Sequence, residues 1–263
     1  MIDAHNHLQD SRLDPWRDGL LRDLGNFGLR CAVVNGTRES DWPKVAALAA
    51  EVPWVLPSFG LHPWYVKDRS GRWFDRLLAQ IDAHPGCGVG EVGLDRWIEG
   101  HDLEQQRECF LAQLALAAER NLPLTIHCLK AWGALVDILR THPRPARGFL
   151  LHAYGGPGEM IAELVKLGAY FSFSTYFLHE RKGAQREVFA ALPTDRLLVE
   201  TDAPDMAPPT GYHDLTAHDG APLNHPANIE HAYAALAGVR RMREGELSRV
   251  VVDNFARLFG RRV

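Results

Sequence analysis

Histidine and carboxylate side chains occur along the chain at positions that could bind a metal. His5 and His7 are two residues apart, so both imidazoles lie on the same side of an extended strand. The other candidates are single residues, each within or just after an apolar run: Glu91, His127, His152 and Asp202. Imidazole and carboxylate groups are common protein ligands of transition metals. Together these six residues predict a metal site.

Six ligands are more than one tetrahedral cation requires. Two cations that share a carboxylate would use all six, and Glu91 is the candidate bridge. Cations roughly 3.5–4 Å apart can hold a hydroxide between them and stabilise the attacking and leaving oxygens of a hydrolysis. In this scheme the catalytic residues are Glu91, as the bridge, and Asp202, as ligand and general base. Mixed nitrogen and oxygen ligands suit Zn, Mn or Fe, and also Mg when water completes its coordination.

Each candidate ligand also has a structural explanation when it is taken alone. A buried histidine such as His127 or His152 is often a core residue bonded to a backbone carbonyl. Glu91 could pair with a neighbouring base, and Asp202 could cap a turn. Their combination favours the metal site, because burying unpaired carboxylates is energetically costly.

The candidate ligands lie at the ends of short apolar runs that recur through the chain. These runs predict eight strands, and the segments between them carry apolar residues at helical spacing. Alternating strands and helices predict a parallel sheet, and eight repeats favour one TIM-like (β/α)8 barrel domain over residues 1–263, with an open doubly wound sheet as the alternative. The predicted strands are residues 2–5, 31–35, 54–62, 88–95, 122–127, 148–152, 169–174 and 197–202.

The barrel would bring the ligands together, because the carboxyl ends of its strands surround a single cavity that holds the catalytic residues. Residues 204–226 are rich in Pro, Gly, His and Asp without periodicity, which predicts a long loop after the eighth strand. Loops of this length usually shape a site. Residues 227–259 predict helices that close the barrel.

Composition and charge indicate the class of protein. The chain is 46% hydrophobic and 24% charged, as globular proteins are, and its net charge of −4 gives no basic field for tight sequence-independent binding of nucleic acid. No apolar run approaches the roughly 20 residues that span a bilayer, and the N-terminus lacks a signal-peptide pattern, so we expect a cytoplasmic protein without a membrane partner. The four cysteines form no Cys-x-x-Cys pair and are expected to be reduced and mostly buried.

Three further residues are candidates for substrate binding. His62 ends the third predicted strand and could contact the substrate. Arg96 and Lys130 come just after the fourth and fifth strands, where they could clamp an anionic substrate.

Several motifs carry a resemblance to a known family. They are His5-Asn6-His7, Gly60-Leu61-His62-Pro63, Gly90-Glu91-Val92-Gly93-Leu94-Asp95, Glu200-Thr201-Asp202-Ala203-Pro204, and Asn254 with Arg257-Leu258-Phe259. In this order they resemble the motifs of the TatD family of metal-dependent hydrolases, within the amidohydrolase superfamily, over almost the whole chain. The resemblance implies a TIM-like barrel, a divalent-metal site on the six residues above, and DNase or 3′–5′ exonuclease activity.

The chain departs from the TatD pattern at three positions. Leu129 stands where an arginine is common, His225 stands where a glutamate precedes the proline of the eighth loop, and Asp205 stands where an aromatic residue is usual. These positions shape the substrate pocket of the family. We expect the acid at Asp205 to repel a phosphate that approaches that wall.

The leading hypothesis is therefore hydrolysis of a phosphoester, with DNA as a candidate substrate, by a metal-bound hydroxide. The alternative is hydrolysis of a carboxylic ester, lactone or amide, because the same hydroxide attacks a carbonyl carbon. Arg96 and Lys130 favour the phosphoester, whereas Leu129 and Asp205 favour the alternative. A third hypothesis, a catalytically silent binding protein, is opposed by the presence of all six ligands.

Overall fold

The computed structural model describes residues 1–261. Eight parallel strands form one sheet, and each strand pairs with the next along the chain. An open doubly wound sheet has a permuted strand order, so the predicted (β/α)8 barrel is confirmed and the alternative is excluded. The strands are β1 Ile2–Asn6, β2 Cys31–Asn35, β3 Val55–Phe59, β4 Gly88–Asp95, β5 Leu124–Leu129, β6 Phe149–Leu151, β7 Ala169–Phe173 and β8 Leu197–Val199.

Helices cover the outside of the barrel. They are α1 Arg17–Asn26, α2 Trp42–Glu51, α3 Trp73–Ala83, α4 Leu103–Arg120, α5 Trp132–Thr141, α6 Ile161–Lys166, α7 Gly183–Ala191, α8 Ile229–Arg240 and α9 Glu244–Phe259. The last two are the predicted closing helices. In the part of the chain that the structure describes, no helix is both long and apolar enough to span a membrane.

Helix α4 shows how local sequence determines where a helix begins, where it ends and which face is buried. It begins after Asp102, whose carboxylate accepts a hydrogen bond from the Gln105 amide at 3.1 Å, and it ends at Asn121 in the left-handed conformation. Phe110 and Leu114, four residues apart, are buried on the face that packs against β4. The strands themselves are buried on both sides, as a parallel sheet covered by helices requires. The four cysteines are free and buried, as predicted.

The barrel closes between β1 and the end of β8 through a side chain. Asp3 Oδ1 accepts a hydrogen bond from the Thr201 amide at 3.1 Å, and its Oδ2 accepts one from Thr201 Oγ1 at 2.6 Å. Beside this contact, the Asp202 amide donates to the His5 carbonyl at 3.0 Å. Burial raises the pKa of Asp3 to about 7, although the bonds from Thr201 oppose the rise. One buried carboxyl group thus reinforces the backbone hydrogen bonds at the seam of the barrel.

The long segment after β8 is more ordered than the sequence predicts. It contains an antiparallel hairpin of two strands, β9 Asp214–Thr216 and β10 Pro222–Asn224. The sequence predicts the long loop over residues 204–226 but not this hairpin, because three-residue strands are too short to show an alternating pattern. The assignment of residues 1–263 to a single domain stays a prediction.

Candidate metal centre

Four side chains from β1, β4 and the end of β8 face one point. Nε2 of His5 lies 3.2 Å from Nε2 of His7 and 3.2 Å from Oδ1 of Asp202, while Nε2 of His7 lies 3.1 Å from Oε2 of Glu91. The two cross distances, His5 to Glu91 and His7 to Asp202, are both 3.5 Å. Donors bound tetrahedrally at about 2.0–2.1 Å are roughly 3.3 Å apart. These four residues, the first cluster, therefore fit one cation.

A second cluster lies on the other side of the same carboxylate. Oε1 of Glu91 is 3.0 Å from Nδ1 of His127 and 2.8 Å from Nε2 of His152, and these two nitrogens are 3.3 Å apart. Glu91 thus presents each of its oxygens to a different pair of imidazoles. A carboxylate that bridges two cations has this arrangement.

Glycines on both sides of Glu91 allow strands β4 and β5 to lie close together. A Cβ atom at Gly90 would lie 2.8 Å from Thr125 Cβ, so no larger residue fits against β5 there. Gly93 has a φ of +147°, and a Cβ at that position would lie 1.9 Å from the carbonyl oxygen of His127. The two glycines let β4 pass close to β5, which brings Glu91 within contact distance of His127.

Hydrogen bonds outside the clusters fix the ring orientation of two histidines. Nδ1 of His7 is 2.8 Å from the Asn35 carbonyl oxygen, and Nε2 of His127 is 2.9 Å from Oδ2 of Asp95. Both oxygens only accept hydrogen bonds, so these nitrogens carry the protons. The opposite ring nitrogens face Glu91, and loss of their protons would give each of them a lone pair. This is the state in which imidazole binds a metal, and backing acceptors of this kind are usual for metal ligands.

Two buried carboxylates behind the histidines were not assigned a role from the sequence. Asp95 backs His127, and Oε1 of Glu200 lies 3.6 Å from Nδ1 of His152. Within residues 1–261 neither the Glu200 oxygen nor the His152 nitrogen has a hydrogen-bond partner. The sequence does hold a signal for both residues: Asp95 is four residues after Glu91, and Glu200 is two residues before Asp202. Alternate residues of a strand lie on one side, so each of these carboxylates could share a side with a predicted ligand.

The carboxylates and imidazoles of the site shift the pKa values of one another. Burial raises the pKa of Glu91, but opposing effects, of which the positive charge of His152 is the largest, hold that pKa well below its usual range. Burial lowers the pKa of His7, yet its hydrogen bonds with Asp202 and Glu91 raise it well above the usual value. The carboxylates thus balance protons on the histidines. A cation that displaces these protons meets the same negative charge, so binding is coupled to proton release.

His62, the predicted substrate contact, is brought into the centre. Its Nε2 lies 3.3 Å from Oε1 of Glu91, and its Nδ1 accepts a hydrogen bond from the Trp64 amide at 3.2 Å. Burial lowers the pKa of His62 to about 4, so its ring is neutral. Because Nδ1 accepts, Nε2 carries the proton and donates to Glu91. Although its position beside His127 would also allow a metal-ligand role, this tautomer makes His62 a hydrogen-bond donor.

Arg96 and Lys130, the predicted anion clamps, are exposed on the rim above the second cluster. The amide of Arg96 donates to the carbonyl of Leu129 at 3.0 Å. The positively charged side chains of Arg96 and Lys130 therefore lie on adjacent strand ends. Among the described residues, neither side chain forms a hydrogen bond or an ion pair. Their contact with substrate stays a prediction, as does that of His62.

Asp205 is paired with a guanidinium, and its repulsion of phosphate stays a prediction. Its Oδ1 and Oδ2 accept hydrogen bonds from Nη1 and Nη2 of Arg12, both at 2.8 Å. Arg12 also binds Asp10. One guanidinium thus faces two carboxylates and offsets only part of their combined charge. His225, the other departure in this loop, is half-buried, with Nδ1 accepting from the Ala227 amide at 3.0 Å.

Comparison with known proteins places the chain in a family. The family model for TatD-related DNases matches residues 2–260. The chain belongs to the TatD family. It is similar to the 3′–5′ ssDNA/RNA exonuclease TatD of Erwinia tasmaniensis, with 29% identity over 98% of this chain and 99% of that one. It is also similar to the uncharacterized metal-dependent hydrolase YjjV of Escherichia coli, with 28% identity over 98% and 97% of the two chains.

Solved structures agree with the TatD assignment. The crystal structure of YjjV, a TatD homologue from Escherichia coli, superposes with a TM-score of 0.90 and 27% identity, covering 99% of this chain and 98% of that one. The predicted TatD resemblance, the barrel and the metal-dependent hydrolase class are confirmed. The histidine and carboxylate clusters fit a metal site in this TatD chain.

Proposed function

We propose that this TatD chain hydrolyses phosphodiester bonds of single-stranded nucleic acid from the 3′ end, with two divalent cations bound. The observation that carries the proposal is the Glu91 carboxylate, whose two oxygens each face a separate pair of imidazole nitrogens within 3.5 Å. The exonuclease names of TatD relatives support the choice of substrate.

Each cluster would hold one cation. His5, His7 and Asp202 would bind the first and His127 and His152 the second, while Glu91 bridges them. The donor set suits Zn, Mn or Fe, and Mg with additional water. When bound, such cations lower the pKa of a coordinated water and stabilise negative charge on phosphoryl oxygens.

Asp202 is the proposed general base. Its Oδ1 faces His5 and His7, and no described residue bonds to Oδ2. That oxygen is available to accept the proton of the attacking water and to return it to the leaving oxygen. The backbone amide of Asp202 donates a hydrogen bond to the His5 carbonyl, which keeps the carboxylate beside the first cluster.

The substrate would enter over the strand ends that carry the second cluster. Neutral His62 has one N–H, at Nε2, which could turn from Glu91 to a phosphoryl oxygen, and exposed Arg96 and Lys130 can balance the charge of the phosphate backbone. The second candidate function is hydrolysis of a carboxylic ester, lactone or amide. Leu129 favours it, because this exposed apolar side chain provides no charge for a phosphate.

Reconstitution with Zn, Mn, Fe or Mg followed by elemental analysis tests the cation number, and an activity screen tests the reaction. We expect two cations per chain and stepwise shortening of single-stranded oligonucleotides from the 3′ end. Turnover of carboxylic esters or lactones without any phosphodiester cleavage would establish the second candidate instead. One cation per chain at saturation would contradict the bridging role of Glu91. A cytoplasmic location stays a prediction from the sequence.

A further inference from the structure

The rim of the metal centre carries an unusual share of exposed apolar side chains. Four large apolar residues are exposed among residues 1–261, and three of them follow neighbouring strands at this rim. Trp64 comes after β3 and is 40% exposed, Trp97 follows β4 and is 57% exposed, and Leu129 ends β5 and is 36% exposed. The fourth, Phe27, lies between α1 and β2, at the opposite end of the barrel. Exposed apolar surface concentrated at one place marks a binding site.

Two of the rim residues form a continuous aromatic surface. The ring centroids of Trp64 and Trp97 are 6.4 Å apart, with 32° between the ring planes. Nε1 of Trp64 donates to Oδ2 of Asp95 at 2.7 Å, which fixes that indole. The Trp64 ring centroid is 6.3 Å from that of His127 and 5.1 Å from that of His62. The aromatic surface therefore begins one side chain away from the second cluster.

Packing does not account for Trp97. More than half of its surface is exposed, and among residues 1–261 its indole nitrogen has no hydrogen-bond partner. Exposed cations accompany the apolar residues in sequence, since Arg96 precedes Trp97 and Lys130 follows Leu129. Aromatic rings beside cations are the pattern by which proteins bind single-stranded nucleic acid, the rings stacking on bases and the cations pairing with phosphates.

We propose that Trp64 and Trp97 form a stacking platform for a nucleobase next to the scissile phosphodiester. The inference rests on the proposed function and states which part of the substrate is recognised. A platform binds the face of a base, which all four bases share, so it accepts any sequence. Stacking also explains how a chain with a net charge of −4 can bind nucleic acid without a basic field.

The test compares a single-stranded oligonucleotide with the same strand carrying abasic residues at its last two positions. The metal-loaded wild-type chain should cleave the base-containing strand with a kcat/KM about 5- to 150-fold higher. Trp97→Ala should remove most of that preference, by lowering kcat/KM on the base-containing strand towards the value for the abasic strand. Trp97→Phe should retain the preference, because it keeps an aromatic face. Phe27→Ala, which removes a ring that is 40% exposed at the far end of the barrel, should behave as wild type.

A binding measurement separates the platform from the proposed function. Fluorescence anisotropy of a labelled strand with phosphorothioate linkages, which slow cleavage, reports affinity without turnover. Tighter binding of the base-containing strand that disappears in Trp97→Ala supports the platform even if no phosphodiester is cleaved, in which case the proposed function alone fails. Equal affinity of the wild-type chain for both strands overturns the platform, as does an equal loss on both strands in Trp97→Ala.

Discussion

Oδ2 of Asp95 lies 2.9 Å from Nε2 of His127, so a buried carboxylate orients an imidazole of the second cluster. The same oxygen accepts a hydrogen bond from Trp64. In Asp95→Asn, an amide NH2 at this position would face two N–H donors. We expect cation affinity to fall by about 10- to 100-fold, as is typical when such backing groups are lost. Competition with a chelator measures the affinity. Asp137→Asn, on the exposed face of α5, is the matched control, and equal affinities in the two variants would contradict the role of Asp95.

Substitutions of Glu91 and Asp202 should affect metal content and turnover differently. Glu91→Ala removes the shared anion, so at least one cation should be lost together with nearly all activity. Asp202→Asn keeps an oxygen donor but cannot accept a proton, so turnover should fall by roughly 10²- to 10⁴-fold while more metal is retained. Metal stoichiometry beside single-turnover rates distinguishes these results. Near-normal turnover of Asp202→Asn would exclude it as the base, and equal metal loss in both variants would make it chiefly a ligand.

The Arg12 and Asp205 pair controls the charge on one wall of the site. Arg12→Ala leaves Asp205 without its guanidinium partner, so KM for a phosphodiester should rise by a few-fold, on the order of the effect of one partly exposed ion pair. Adding Asp205→Asn should restore KM, because it removes the repelling charge. The rise should shrink in high salt, which screens exposed charges. An unchanged KM in Arg12→Ala at low salt would show that this wall does not face the phosphate.

Leu129 offers a test of substrate class. Leu129→Arg should raise activity on phosphodiesters relative to carboxylic esters, because a planar guanidinium can bind two phosphate oxygens at once. Leu129→Met preserves the apolar character and serves as the control. Steady-state kinetics on both substrate classes give the ratio, and a constant or lower ratio in Leu129→Arg would count against a phosphate at this position.

A substitution of Asn254 should lower the stability of the fold without affecting the metal site. Its Nδ2 donates to the carbonyls of Thr194 at 2.9 Å and Leu197 at 2.8 Å, which ties α9 to the start of β8. Asn254→Leu leaves these carbonyls unpaired, so the free energy of unfolding should fall by about 1–3 kcal/mol with metal content unchanged. Denaturant unfolding measures the change. Its exposed neighbour provides the control Asp253→Ala, and a comparable loss there would show that the bonds of Asn254 contribute little.

The sequence predicts the barrel well because apolar periodicity reports burial directly, and it predicts the six clustered side chains because strand ends converge in this fold. It does not reveal partners that are distant in the chain. Arg12 and Asp205 are 193 residues apart, and nothing in the local pattern indicates that one offsets the other. The roles of Asp95 and Glu200 were missed for a related reason. Residue type and spacing do not specify which carboxylate backs which imidazole.

The seam at Asp3 also determines when the first cluster can form. Asp3 and Thr201 are 198 residues apart, and the cluster beside them combines His5 and His7 with Asp202. Bringing such distant segments together has a loop-closure entropy cost, and the contact needs both segments to be present. A nascent chain that has not yet reached residue 202 holds His127 and His152 but lacks a complete first cluster. Tight capture of a cation by the first cluster therefore requires a chain extended through residue 202 and joined at this seam.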